Sequence, residues 1–346
     1  METVWFWLVA AMIAMYVIFD GFDLGAGIVH LFAARTDDER RLVLRSIGPV
    51  WDGNEVWLIA GGGTLYFAFP TLYASSFSGF YLPLMMVLWL LVLRGISIEF
   101  RNHFSNPVWT PFWDVVFSGS SLLLTVLFGI ALGNVVRGVA LNADGWFFAP
   151  LWTDFRIAPR PGILDWYTIP VGVAALFALA QHGALWLAVK TDGPVQQRSR
   201  AIVALSWWGT VLMAAVVTTL TWSVQPQVAE SLSNRPLGWA FPILTVIGAV
   251  GIKAFSSRGN DVRAFLSSCV FLIGMLTSAA FGIYPYVLPS VTDPVLALTV
   301  HNAATTEYGL RVGLAWWIPG MILVSVYFLY TYRSFAGKVR LDGEGH

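Results

Sequence analysis

Asp20, Asp23, Asp52, Glu55 and Glu99 are carboxylates set within or at the edges of apolar runs, and Arg94 is a guanidinium in the same setting. Sixteen uncharged residues, Val4 to Phe19, lead straight into Asp20, about 24 Å of helix at roughly 1.5 Å per residue. A carboxylate at that depth costs roughly 2.5–3.5 kcal/mol on insertion scales, so it faces a protein interior or water and either moves protons or sits in a buried ion pair. Asp20, Asp23, Gly27 and His30 follow i, i+3, i+7, i+10 and so share one stripe of a helix. Asp52 and Glu55 repeat the i, i+3 step. Such a stripe suits a water file along which carboxylates pass protons. The structural alternative pairs Arg94 with one carboxylate and uses Asp52 to cap a helix start. His30 and Asn54 then serve as supporting or ion-pairing groups, and Asp23 and Glu99 are the acids this alternative fits best.

Those residues meet only if apolar helices bring them to one level. The 346-residue chain is 57% hydrophobic and 12% charged, a balance that marks an all-α polytopic membrane protein. Nine runs are long enough to cross about 30 Å of hydrocarbon: Val4–Ala34, Ile47–Phe69, Phe77–Phe100, Phe112–Val136, Ile163–Val189, Ala201–Val224, Leu237–Phe255, Ala264–Val287 and Tyr308–Tyr332. We read residues 1–346 as a single integral membrane domain. Helices 1–4 (about 4–136) and 5–8 (about 163–287) form two four-helix bundles, and helix 9 (about 308–332) is peripheral. Met1-Glu2-Thr3 lacks a basic leader, so the first run reads as a span rather than a cleavable signal.

Fifteen of the 20 Lys and Arg fall in the odd-numbered connections and the C-terminus. The positive-inside rule therefore sets the N-terminus outside and the C-terminus in the cytoplasm. The first span descends, the second rises and the third descends, which brings the five acids and Arg94 together in the cytoplasmic half. The connection at about 138–162, rich in Trp, Phe and Pro, becomes an ordered outer loop. Gly21 with Gly25, and the run Gly61-Gly62-Gly63, read as close helix packing.

Other chemistries find little support. Zero net charge argues against nucleic acid, and the lone Cys269 allows neither an internal disulfide nor a cysteine metal site. No two of His30, His103, His182, His301 and His346 have the spacing or depth for bis-histidine haem ligation. No phosphate loop or Ser/His/Asp pattern is present.

Asp20-Gly21-Phe22-Asp23-Leu24-Gly25, then Gly48-Pro49-Val50-Trp51-Asp52-Gly53-Asn54-Glu55-Val56-Trp57-Leu58, resemble subunit II of the cytochrome bd quinol oxidases. Ser78-Gly79-Phe80-Tyr81, Arg94-Gly95-Ile96-Ser97-Ile98-Glu99-Phe100-Arg101, Trp113-Asp114 and Gly129-Ile130-Ala131-Leu132-Gly133-Asn134 extend the likeness over the first 140 residues. The later part matches in span number, Trp content and Gln181-His182-Gly183.

The resemblance implies a multi-pass subunit of the bacterial cell membrane, paired with a subunit I that carries haems b and d and oxidises quinol. Small accessory subunits and a structural quinone belong to the same expectation. This chain then ligates no haem or metal and holds no catalytic residue. It supports subunit I and delivers cytoplasmic protons for the reduction of O2 to water. The resemblance carries the proton-pathway role onto Asp20, Asp23 and Asp52, and onto Glu55 and Glu99. Glu55 stands where family members vary between Gln and Glu. Trp57 becomes a candidate for an oxygen route. The competing readings are a stand-alone proton-coupled transporter and a pure assembly scaffold.

Overall fold

The computed structural model describes residues 1–104 and 106–341. Its helices are α1 (Glu2–Ala33), α2 (Asp37–Ile47), α3 (Trp51–Ala68), α4 (Pro70–Gly79), α5 (Tyr81–Phe100), α6 (Trp109–Arg137), α7 (Thr168–Lys190), α8 (Gly193–Val224), α9 (Pro226–Asn234), α10 (Ala240–Ser256), α11 (Asp261–Ile283) and α12 (Glu307–Ser334). A small antiparallel hairpin pairs β1 (Tyr286–Leu288) with β2 (Leu298–Thr299).

Among the described residues, eight segments are long and apolar enough to cross a membrane: α1, α5, α6, α7, α8, Pro236–Ser256, α11 and α12. The expected second span survives as the 18-residue α3. Asp52, Asn54 and Glu55 at its start dilute its apolar character, so composition alone does not mark it. It runs antiparallel to α1, with Asn54 against Asp23 at one end and Phe69 in the cluster around Trp5 at the other. The connection between the first two expected spans folds as α2, because Thr36 and Glu39 close a reciprocal capping box at its start. The expected third span, Phe77–Phe100, is divided at Phe80 between α4 and α5.

Helices α1, α3, α5 and α6 pack as one set, and α7, α8, α10 and α11 as another. The sets meet where α1 crosses α7, and the reason is steric. A Cβ on Gly25 would lie 2.0 Å from the Leu179 carbonyl, and one on Gly183 would lie 2.1 Å from the Gly25 backbone. In lipid, apolar burial does not by itself drive association, and close backbone approach of this kind does. Every residue from Asp20 to His30 is consequently buried. Phe22 stacks on Trp186 at 4.1 Å beside this crossing. By contrast, a Cβ on Gly62 or Gly63 would meet nothing within 4 Å, so among the described residues no helix uses these two glycines for packing.

The long segment after α6 folds over the helix ends and is tied to the hairpin region. Val139 N–H donates to Pro289 O and Val291 N–H to Val139 O. Arg137 forms a buried ion pair with Asp165, whose Oδ1 caps α7 by accepting from Tyr167 and Thr168 N–H, each at 2.8 Å.

Candidate functional site

Three helices that the sequence brings to one level build a buried charge cluster. On α1, Asp20 lies fully buried. Arg94 reaches it from α5 through two parallel bonds, Nη2 to Oδ1 at 2.6 Å and Nη1 to Oδ2 at 3.1 Å. This fork-on-fork geometry is the strongest form of such a pair. Glu55 on α3 stands 3.7 Å from Arg94 Nη1, and its side chain is 23% exposed. Burial therefore deepens from Glu55 at the edge to Arg94 and Asp20 inside.

Asp23 is equally buried and differently served. Asn54 Nδ2 donates to its Oδ2 at 2.7 Å, while Tyr332 of α12 donates its hydroxyl proton to Asn54 Oδ1 at 2.8 Å. Tyr332 thus fixes which end of the amide faces Asp23. Among the described residues Asp23 Oδ1 accepts from no protein group, and the buried Tyr16 OH and Arg94 Nε likewise have no partner. A buried polar atom without a partner costs about 1–3 kcal/mol, and ordered water is the usual remedy in a polar site.

A second cluster surrounds Asp114 on α6. Its Oδ1 accepts from His30 Nε2 at 2.7 Å and Arg101 Nε at 2.5 Å. Its Oδ2 accepts from Arg40 Nη1 at 3.0 Å and Arg101 Nη2 at 3.2 Å. Arg101 also binds Asp37 of α2 at 2.8 Å. The same short helix is tied to α8 by Glu39 and Arg198. Burial raises the Glu39 carboxyl, but hydrogen bonds from Arg198 and from the Arg35 and Thr36 backbone outweigh it and hold the group below its ordinary value.

The expected residues therefore separate. Asp20, Asp23, Asn54, Glu55 and Arg94 converge. His30 leaves the stripe for Asp114. Asp52 and Glu99 are exposed, and neither forms an ion pair among the described residues. Trp57 packs with Phe19 (5.8 Å, stacked) and Phe328 (5.4 Å, edge-on). Sequence reasoning missed Tyr332, 278 residues from Asn54, and it missed the role of Asp114. A lone acid in an apolar helix was signal enough for Asp114, and nothing local marks Tyr332.

The two histidines buried within the helices, His30 and His182, are held by protein partners. His182 donates Nε2 to Ile18 O at 3.0 Å and places Nδ1 2.6 Å from Ser268 Oγ, so both ring nitrogens are engaged. His30 is held by Asp114, and His301 lies in an exposed contact with Glu2. No group of three His, Cys, Asp or Glu residues suited to a metal occurs among the described residues.

Comparison with known proteins gives one consistent result. A family model described as cytochrome bd terminal oxidase subunit II matches residues 1–335. The cytochrome bd-I ubiquinol oxidase subunit 2 of Escherichia coli is 28% identical, covering 97% of this chain and 94% of the relative. The cytochrome bd ubiquinol oxidase subunit 2 of Bacillus subtilis is 29% identical, covering 96% of each. A chain in the solved bd oxidase of Geobacillus thermodenitrificans superposes with a TM-score of 0.75 at 19% identity, covering 97% of this chain and 99% of that one. That likeness establishes the shared fold.

Proposed function

The chain belongs to the cytochrome bd terminal oxidase subunit II family, and from that membership we propose that it is the proton-delivering, haem-free subunit of a bd-type quinol:O2 oxidase. It is a multi-pass protein of a bacterial membrane, part of an oxidoreductase complex. We assign haems b and d and quinol oxidation to its subunit I partner. The engaged nitrogens of His182 and the Asp114-bound His30 support that division. The α1-antiparallel course of α3 supports its role as a ninth crossing, and the basic connections support a cytoplasmic C-terminus.

One observation carries the proton reading: Asp23 is a fully buried carboxylate with one oxygen free of protein donors among the described residues. A group of that kind takes and releases a proton without breaking an ion pair. Asp52 at the surface and Glu55 at the edge form the inlet. Arg94, neutralised by Asp20, keeps the interior polar without adding net charge. A proton arriving at Glu55 passes by water to Asp23 Oδ1, while Asn54 and Tyr332 hold the carboxylate in place.

Asp23→Asn in the purified complex tests this. The amide keeps the shape and removes the titrating group. Quinol-driven oxygen consumption is expected to fall roughly 100-fold, the lower range for a positioned proton-transfer group, with haem content unchanged. Normal turnover would refute the relay. Loss of haem together with turnover would favour the scaffold reading.

A further inference from the structure

A cleft of about 130 Å³ opens between α7, α8, α10 and α11 at the end of the second helix set that carries the basic connections. Its walls are Trp207 and Ile252, and its mouth holds Arg200, Lys253, Ser256 and Asp261. The charges there do not cancel. Asp261 accepts both Arg200 Nε (2.9 Å) and Nη2 (2.7 Å) and so neutralises that guanidinium. Lys253 pairs with no carboxylate among the described residues. Its ammonium instead lies 5.3 Å and 5.5 Å from the ring centroids of Trp207 and Trp208. Trp207 is fixed by its Nε1 bond to Ala249 O at 2.9 Å. Ser256 Oγ is buried at the cleft and has no hydrogen-bond partner among the described residues. A surplus positive charge and a free hydroxyl thus meet at one small cleft whose walls are otherwise mostly apolar, Leu185, Val203 and Ile252 among them.

Two apolar strips lead away from it. Leu205, Trp208 and Leu212 are exposed along one line of α8, and Val246, Ile247 and Val250 along the outer side of α10. A cleft with mostly apolar walls and a net positive charge among its polar lining residues, beside two apolar strips on spanning helices, matches an anionic phospholipid: phosphate at Lys253 and Ser256, one acyl chain along each strip. Basic pockets between helices on the cytoplasmic side recognise such headgroups by this chemistry.

We propose that the cleft at Lys253 and Ser256 is a specific site for the phosphodiester headgroup of an anionic phospholipid. Charge complementarity selects the occupant, because a zwitterionic lipid brings its own cation to the cleft along with its phosphate and so leaves the surplus charge of Lys253 uncompensated. The site stands apart from the Asp23 cluster and does not depend on the proton reading.

The test uses the intact purified complex, delipidated and titrated with phosphatidylglycerol or phosphatidylcholine, with bound lipid counted by native mass spectrometry. One phosphatidylglycerol is expected to bind in preference to phosphatidylcholine. Lys253→Ala should weaken it about fivefold, the effect of one interfacial cation. Ser256→Leu fills the cleft without changing charge and should abolish it. Arg258→Ala, an exposed cation on the adjacent turn, should leave it unchanged. Equal weakening by Arg258→Ala would show diffuse surface attraction and overturn the site, as would unchanged binding in Lys253→Ala. Displacement by inorganic phosphate alone would show that the acyl strips contribute nothing and would overturn the lipid assignment. Failure of phosphatidylglycerol to bind because subunit I covers the face would also refute the proposal. Should Ser256→Leu fail to assemble, the exposed Lys253 still decides the outcome.

Discussion

Asp114 and Asp23 are both buried aspartates at one end of the same helix set, both served by residues of neighbouring helices, and they are built in opposite ways. Each oxygen of Asp114 accepts two bonds from Arg or His groups. Asp23 has one amide donor and one oxygen with no protein donor. A saturated carboxylate is a fastener: protonating it would strand two arginines. An unsaturated one exchanges a proton at little structural cost. Asp20, gripped by Arg94 through two bonds, groups with Asp114 on the proposed reading, although its sequence setting matches that of Asp23.

The largest expected effect breaks the saturated side. Asp114→Ala leaves Arg101 and Arg40 without their shared counter-charge, and removing one partner of a buried pair costs about 3–5 kcal/mol. Thermal unfolding of the complex should shift down by many degrees, and an unshifted transition would remove the distinction. Arg94→Met should destabilise comparably by stranding Asp20. Adding Asp20→Asn to it should recover part of the loss in a double-mutant cycle, and strictly additive effects would show that the pair does not act as a unit.

A smaller effect sharpens the other side. Tyr332→Phe removes one hydrogen bond to Asn54, about 1 kcal/mol, and frees the amide to turn its oxygen toward Asp23. Turnover should drop more than stability does, whereas a purely structural Tyr332 would lower both together. Acidification should release the Glu39 tether between α2 and α8. The folded Glu39 carboxyl lies below its unfolded value, so its stabilisation is present above about pH 4.3 and is lost as pH falls through the folded value. Glu39→Gln should abolish that acid-sensitive component of unfolding. Smallest of all, Asp52→Asn changes an exposed side chain and should alter stability by less than about 0.5 kcal/mol, with turnover slowed only slightly. A large loss would move the inlet's control point from Asp23 to the surface.

How much of this the sequence displays follows from the range of each interaction. The spans are legible because hydropathy is local, and α3 escapes that measure because its own acids lower it. The convergence of Asp20, Asp23, Glu55 and Arg94 follows from span order and helical spacing. The partition of roles does not, because it depends on who donates to each oxygen. His30 shares a helical stripe with Asp23, yet the α6 register hands it to Asp114. Tyr332 comes from the last helix, and no spacing rule links it to Asn54. The capping box of α2 was readable in Thr36 and Glu39, but the charged helix between spans passes easily for a loop.

On the proposed reading, Asp23 carries protons while Asp20 carries structure. The most direct measurement is proton uptake by the purified complex during its reaction with O2, followed with a pH-sensitive dye in the wild type, Asp23→Asn and Asp23→Glu. Slow uptake in Asp23→Asn, recovery in Asp23→Glu and intact haem spectra in all three are the predicted result. Uptake in Asp23→Asn as fast as in the wild type would contradict it.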